Sequence, residues 1–275
     1  MGVLAKPTLS CDAVVLRAFP SGETSVIASL LTRTEGFVKV VAKAARRPRS
    51  RLRPLVEPGR LVSVELSWDP ARELQYLRGG SVRLDPLLTG VDLERSAFLL
   101  AALELTDRCR LNPGGEAAGG EVAGAEAMFG VCDAFIRMLS SGADAEPARL
   151  FFAFEWLLLK NHGLDPEVVA CAVCGRVLDY SGDGTNLWFQ PAEGGAVCHL
   201  CGGAGRPLSR EALAEFRLFE TGVDAGSAGR PLSRILRREL GAHLHHFLGF
   251  HLPGYRLPVA LDLLRPVRRA EESSS

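Results

Sequence analysis

Between Cys11 and Leu84 the chain alternates short apolar runs with turn chemistry. In the clearest run the pattern repeats every second residue. Val62, Val64, Leu66 and Trp68 fall on one face of an extended segment, and Ser63, Glu65 and Ser67 fall on the other. A period of two is that of a strand with one buried side. Five strands are predicted on this basis, at Cys11–Phe19, Ser25–Thr32, Gly36–Lys43, Arg60–Trp68 and Glu73–Leu84. Breaks fall at Pro20-Ser21-Gly22, Glu35-Gly36, Pro58-Gly59 and Asp69-Pro70. Five short strands in about 75 residues suggest a small closed barrel of the OB type.

From Val91 onward the apolar period lengthens to that of helices. Asp92 is placed to cap a helix reaching Leu111, and a second helix is predicted from Glu126 to Leu139. Pro147 suits the first turn of a third, with Leu150, Phe151, Phe154, Leu157 and Leu158 as its stripe and Gly163 as its stop. The stretch Asn112 to Ala127, rich in Gly, Ala and Glu, reads as largely mobile. Helices resume at Ser209–Thr221 and Pro231–Phe250. The last has Leu232, Ile235, Leu236, Leu240, Leu244, Phe247 and Leu248 on its apolar side. The expected fold class is α+β and multidomain. It comprises an N-terminal five-stranded OB-type β-barrel (1–84), a C-terminal α-helical domain (85–167 and 205–265), an inserted four-cysteine zinc ribbon (168–204), and a frayed tail (266–275).

The strongest local motif lies in that insertion: Cys171-Ala-Val-Cys174, then 23 residues, then Cys198-His-Leu-Cys201. Two Cys-x-x-Cys hairpins supply four thiolates to one tetrahedral zinc ion, and Gly175 and Gly202 permit the tight turn after each pair. Four sulfurs leave no coordination position for an activated water, so the implied role is structural. A redox dithiol would use a single pair in a βαβ setting, which is missing from the pattern. Cys11, Cys109 and Cys132 sit in apolar stretches and read as small core residues.

Charge changes the picture of the barrel. The whole chain is neutral, yet residues 1–83 carry a net +7, residues 84–150 a net −6 and residues 151–275 a net −1. Seven of the fifteen residues from Lys39 to Arg53 are basic and none is acidic. On the third strand Val38, Val40 and Ala42 suit a barrel interior, which turns Phe37, Lys39 and Lys43 outward. An aromatic ring beside cations suits single-stranded nucleic acid, and OB folds use this surface for it. Arg46, Arg47, Arg49, Arg51 and Arg53 extend the positive surface, and guanidinium groups grip phosphate bidentately. Such contacts carry no sequence preference. Arg234, Arg237 and Arg238 form a second, weaker candidate basic patch, diluted by Glu239.

Several chemistries are set aside. There is no phosphate-binding Gly-x-x-x-x-Gly-Lys-Ser/Thr loop, no Gly-x-Ser-x-Gly elbow and no His-Glu-x-x-His motif. The acidic residues are dispersed rather than clustered for catalytic metals. His243, His245, His246 and His251 read as a polar helix face rather than a metal site. No catalytic residue is assigned, and a non-enzymatic protein is expected. No apolar run approaches the roughly 18 residues of a membrane span, and Met1–Ser10 lacks the apolar core of a signal peptide. A cytoplasmic, nucleoid-associated protein is therefore expected. An RNA-binding OB and zinc-ribbon protein of the ribosome or of RNA metabolism remains the alternative.

The chain resembles the bacterial RecO family of recombination-repair proteins over nearly its whole length. The N-terminal likeness rests on Gly22-Glu23-Thr24-Ser25, Thr32 with Gly36, Lys43 followed by Ala45-Arg46-Arg47, and Ser50-Arg51. In the C-terminal part it rests on Cys171, Cys174 and Gly175, then Phe189, Gly194-Gly195, Cys198 and Cys201. Ala44 stands where the family commonly has glycine. The resemblance implies a recombination mediator that binds single- and double-stranded DNA and promotes strand annealing. It also implies partnership with RecR, a groove for the acidic tail of the single-strand-binding protein, and help in loading RecA. By the same resemblance Lys39, Lys43, Arg46, Arg47, Arg49, Arg51 and Arg53 would touch DNA.

Overall fold

The computed structural model describes residues 7–88, 92–110, 118–141, 145–178, 186–202 and 205–264. Contacts divide the chain into two compact units: Met1–Gly142 with Pro258–Ser275, and Ala143–Leu257.

The first unit is built on the predicted barrel. Its strands are β1 (Thr8–Ser21), β2 (Ser25–Thr32), β3 (Gly36–Ala42), β4 (Leu61–Ser67) and β5 (Leu74–Leu84). They close in the order β1-β2-β3-β5-β4, with β1 returning to β4. All pairings are antiparallel except β3 with β5, which run parallel with Val41 opposite Tyr76. This is the OB arrangement. β1 is longer than its apolar pattern suggests because it serves two neighbours. Thr8 to Val14 pair with β4, Ala13 to Ser21 pair with β2, and the register shifts between Val15 and Arg17. Such an irregularity bends a strand round a barrel corner. The predicted inward faces fill the interior. Val38, Val40, Ala42, Val62, Val64 and Leu66 are buried in one cluster with Val15 and Leu30. Each large aliphatic so buried contributes roughly 1.5–3 kcal/mol.

Two helices, α1 (Leu93–Arg108) and α2 (Ala118–Ser140), complete this unit. The Asp92 carboxylate accepts from the Glu94 amide at 2.9 Å, giving the predicted cap. Leu99 packs on Gly59, and the Arg33 guanidinium lies 4.6 Å from the Phe129 ring centroid. The boundary drawn after residue 84 follows the change in periodicity and falls inside this unit, because the apolar faces of α1 and α2 close on the barrel. α2 also corrects the sequence reading. It starts at Ala118, not near Glu126, so 118–127 is helical rather than loose. The alanines and glutamates there are strong helix formers and offset the glycines. Met128, Phe129, Cys132, Phe135 and Ile136 then anchor the helix by burial. The rest of the stretch expected to be mobile, 112–117, and the tail 266–275 lie outside the described residues. A 3-10 segment, Val259–Leu264, belongs to this unit, and Glu104 accepts from the amides of Val259 and Ala260.

The second unit contains α3 (Pro147–Asn161), α4 (Arg210–Thr221), α5 (Ala225–Ala228) and α6 (Arg234–His251). A three-stranded sheet joins them, with β6 (Leu187–Gln190) between β7 (Gly195–Val197) and β8 (Arg206–Leu208). Ser209 and Ser233 cap α4 and α6. The core is aromatic. Trp156 stacks on Phe216 at 5.3 Å, and Phe189 of β6 reaches Phe216 at 5.3 Å and Phe247 at 5.5 Å. The cysteine-bearing insertion is thus keyed into the helices by the Phe189 ring, and Arg217 of α4 adds hydrogen bonds to the Val168 and Leu178 carbonyls. No helix of the described residues is long and apolar enough to cross a membrane.

Two readings of α6 are corrected. Ile235 was expected inward, but it is exposed because the first turn of the helix runs beyond the core. Of the four histidines read as a polar helix face, only His246 is exposed. His243 is buried against Phe189 and Phe216, His245 approaches buried Glu155 at 3.2 Å, and His251 bonds the Pro191 carbonyl at 2.8 Å. They serve packing at different points.

One buried ion pair has no counterpart in the sequence pattern. Arg149, 1% exposed, makes a forked bond to Glu215, with Nε–Oε2 at 2.8 Å and Nη2–Oε1 at 2.9 Å. Its remaining nitrogen holds the carbonyls of Ser227 and Arg230. Glu215→Gln is expected to destabilise the unit by about 3–5 kcal/mol, because it leaves the guanidinium buried without its counter-charge. Asp133→Asn, which breaks the exposed Arg137–Asp133 pair, is expected to cost no more than about 1 kcal/mol. Urea denaturation of both variants measures the contrast.

Candidate nucleic-acid interface and four-cysteine centre

The basic stretch leaves β3 and forms a folded turn rather than a loose loop. The Arg46 amide donates to the Thr24 carbonyl at 2.8 Å, that of Arg47 to Ala44 at 3.1 Å, and that of Ser50 to Arg47 at 3.2 Å. Ala45, Leu55 and Val56 are buried in the barrel core and pin the turn at both ends. Ala44 and Arg49 adopt left-handed φ values of 58° and 62°. The arginines between these anchors are held outward by backbone geometry.

The candidate residues fare differently. Arg46, Arg47, Arg49 and Arg51 are exposed, and among the described residues none of the four forms an ion pair with a carboxylate. Arg46 Nη1 donates to the carbonyls of Gly22 and Glu23, which orients the group without cancelling its charge. Arg53 lies 3.6 Å from Glu57, and Lys39 is paired with Glu73. That lysine, through its hydrogen bond and then its charge, holds Glu73 below the usual carboxylate range. Phe37 and Lys39 point away from the interior as expected, but the Arg110 guanidinium covers the Phe37 ring at 4.6 Å. Lys43 is exposed, its Nζ 4.9 Å from the Tyr76 ring centroid. Arg234, Arg237 and Arg238 lie in the other unit, where Arg237 pairs with Glu146.

Tyr76 is the residue that sequence reasoning missed. It sits on β5 opposite Val41, on the outward side with exposed Arg78, while Gln75 and Leu77 point in. The alternation in Leu74 to Arg78 was a signal for this face. The β3–β5 register that brings the ring to Lys43 was not readable from the pattern.

The four predicted cysteines converge. Their sulfurs all lie within 4.8 Å of one another, and Cys174 and Cys198 are 3.8 Å apart. Cys171 and Cys198 are buried, with Cys174 and Cys201 nearer the surface. The Cys198 amide donates to the Cys171 sulfur at 3.4 Å. Burial opposes a Cys171 thiolate, but amide donors from Cys198, Cys174 and Val173 outweigh it and bring the thiol down to about 6. Cys201 is pushed up to about 12, first by its hydrogen bond to Cys174. Four sulfurs this close cannot all be thiolates without a cation among them, so the cluster is chemically suited to hold a metal ion.

Comparison with known proteins agrees with this arrangement. The profile described as "Recombination protein O N terminal" matches residues 7–83, and that described as "Recombination protein O C terminal" matches residues 90–259. The chain belongs to this family. Among similar proteins is one named "DNA repair protein RecO" from Anaeromyxobacter sp. (strain Fw109-5), 33% identical over 94% of this chain and 97% of its own length. A protein of the same name from Anaeromyxobacter sp. (strain K) is 34% identical, covering 92% and 96%. Another, from Desulfosudis oleivorans, is 28% identical over 90% and 94%. The barrel with its basic turn coincides with the N-terminal family match, and all four cysteines fall in the C-terminal one.

The left-handed backbone at Ala44 suits glycine, since a Cβ in that region costs roughly 1–2 kcal/mol. Ala44→Gly is expected to raise stability by about 1 kcal/mol, after allowing for the extra freedom of glycine in the unfolded chain. Thermal denaturation with and without the substitution measures this.

Proposed function

We propose that the chain is a non-enzymatic DNA-binding mediator of recombinational repair. It binds single and double strands through the 43–53 turn and the adjoining β3–β5 surface. The observation that carries this reading is the row of exposed arginines, Arg46, Arg47, Arg49 and Arg51, on a stiff turn and without a carboxylate partner among the described residues. Unneutralised guanidinium groups displace counterions from phosphate, which supplies affinity without sequence preference. Tyr76 beside Lys43 adds a ring on which an unpaired base can stack. A surface of this kind screens two phosphate backbones as they approach, and promotes annealing with no covalent step. The names of the relatives support DNA repair rather than RNA metabolism as the setting. Within it, the family resemblance points to RecR, the tail of the single-strand-binding protein and RecA loading in the cytoplasm.

The metal is read as zinc, one ion in a structural role. A tetrahedron with Zn–S bonds of about 2.3 Å has edges of roughly 3.8 Å, close to the Cys174–Cys198 separation of 3.8 Å. Bound there, the ion would join the two Cys-x-x-Cys turns and stiffen the sheet that carries Phe189.

Reversing Arg46, Arg47 and Arg49 to Glu is expected to weaken binding to single-stranded DNA at least about tenfold at moderate salt, and to flatten the salt dependence of log K by roughly three. Fluorescence anisotropy across a salt series measures both, and unchanged affinity would remove the turn as the main contact. Inclusion of an RNA strand of the same sequence tests the alternative, which a clear RNA preference would favour. Cys198→Ser is expected to lose bound metal, assayed by elemental analysis, and to loosen 168–204 while the barrel stays folded, assayed by hydrogen exchange. Full zinc occupancy in that variant would show the ligand set to be wrong.

A further inference from the structure

We propose that the cleft beside the basic turn, between the end of β1 and the 3-10 turn Arg53–Val56, is a pocket for one unpaired nucleobase, with Phe19 as its stacking ring. The proposal rests on the reading of the turn as a nucleic-acid contact and adds a base-recognising subsite to it.

The cleft has a volume of about 330 Å³, at the small end of the roughly 300–1,000 Å³ typical of small-molecule sites. Ala18, Val26, Ala45 and Val56 give it apolar walls, and Arg46 and Arg53 also line it. Phe19 is the one phenylalanine of the first unit left exposed, at 41%, among the described residues. Its place is fixed by pairing of β1 with Ile27 of β2 and by the Arg17 guanidinium 5.6 Å from the ring centroid. Arg17 is itself held by Asp107 at 3.0 Å.

The lining selects among ligands. A free phosphate would be drawn to Arg46 and Arg53, but it would meet the Glu57 carboxylate 3.6 Å from Arg53 and leave the ring and the apolar walls uncovered. A paired base stays stacked in its duplex and cannot present a face to Phe19 without being flipped out. An unpaired base meets every group: a flat face for the ring, an N–H donor of its unpaired edge (amino or ring) for Glu57, and its own phosphate for Arg46 and Arg53. The pocket therefore gives a surface that holds phosphates of any strand a preference for bases not yet paired. Once a complementary strand has captured the base, the pocket has no further hold on it.

Anisotropy titrations of the full chain test this with three labelled ligands of one length: an intact single strand, an abasic single strand and a blunt duplex. Phe19→Ala is expected to weaken the intact strand at least about fivefold while leaving the abasic strand and the duplex within about twofold. Phe19→Trp, which keeps a ring, is expected to retain wild-type affinity. The pocket is overturned if Phe19→Ala binds the intact strand within about twofold of wild type, or if it loses equally on all three ligands. The Arg46, Arg47 and Arg49 reversal, run alongside, separates the two ideas. A silent Phe19→Ala with a weakened reversal variant removes the pocket and keeps the turn. A silent reversal removes the turn, and the pocket falls with it only when Phe19→Ala is silent as well.

Discussion

Closure of the barrel depends on the parallel pairing of β3 with β5. Every other neighbour in the sheet is antiparallel, and consecutive antiparallel strands need only tight turns. A parallel contact between β3 and β5 requires the chain to leave β3, cross to β4 on the far side of β5, and return. The crossing is the segment that carries the arginines. The topology therefore makes a long connection obligatory at this place, and the sequence fills it with cations. The same pairing sets the register of Val41 against Tyr76, which brings the ring to Lys43.

A long connection of this composition would ordinarily be loose, because several like charges repel one another and find little to bury. Here Ala45 on one side and Leu55 and Val56 on the other are drawn into the barrel core. The apolar residues hold the turn and the charged ones project from it. The division of labour is the same as in the cysteine module, where Phe189 packs among the helices while the four sulfurs gather in a cluster of their own.

Local regularities made much of this legible. Short apolar runs between turn residues located β2 to β5 nearly residue by residue, and Asp92 and Ser209 marked helix starts through their own hydrogen-bonding chemistry, whereas the last helix is capped by Ser233 and begins at Arg234 rather than at Pro231. The paired Cys-x-x-Cys spacing located the metal-suited cluster, since the geometry is built into each short hairpin. What escaped was set by distance along the chain or by competition between local preferences. Arg149 and Glu215 are far apart in sequence, and nothing near either announces the other. The start of α2 was hidden because its glycines signalled a loop while its alanines and glutamates favoured a helix. His243 reads as polar in sequence but lies among aromatic rings, its nearest carboxylate being Glu239 at 3.6 Å. Of the residues that carry the family likeness, Gly22 and Gly36 hold positive φ at turns, so part of that likeness records backbone shape rather than chemistry.

The hydrogen-bonded character of the basic turn bears on kinetics. A segment that orders only on contact must be folded by its ligand at each encounter and released from that fold at each departure. This turn has its amide bonds in place beforehand. If the turn binds DNA as proposed, a strand would be taken up and released without a conformational search, and the dwell time would be governed by how readily small ions recondense on the departing polymer.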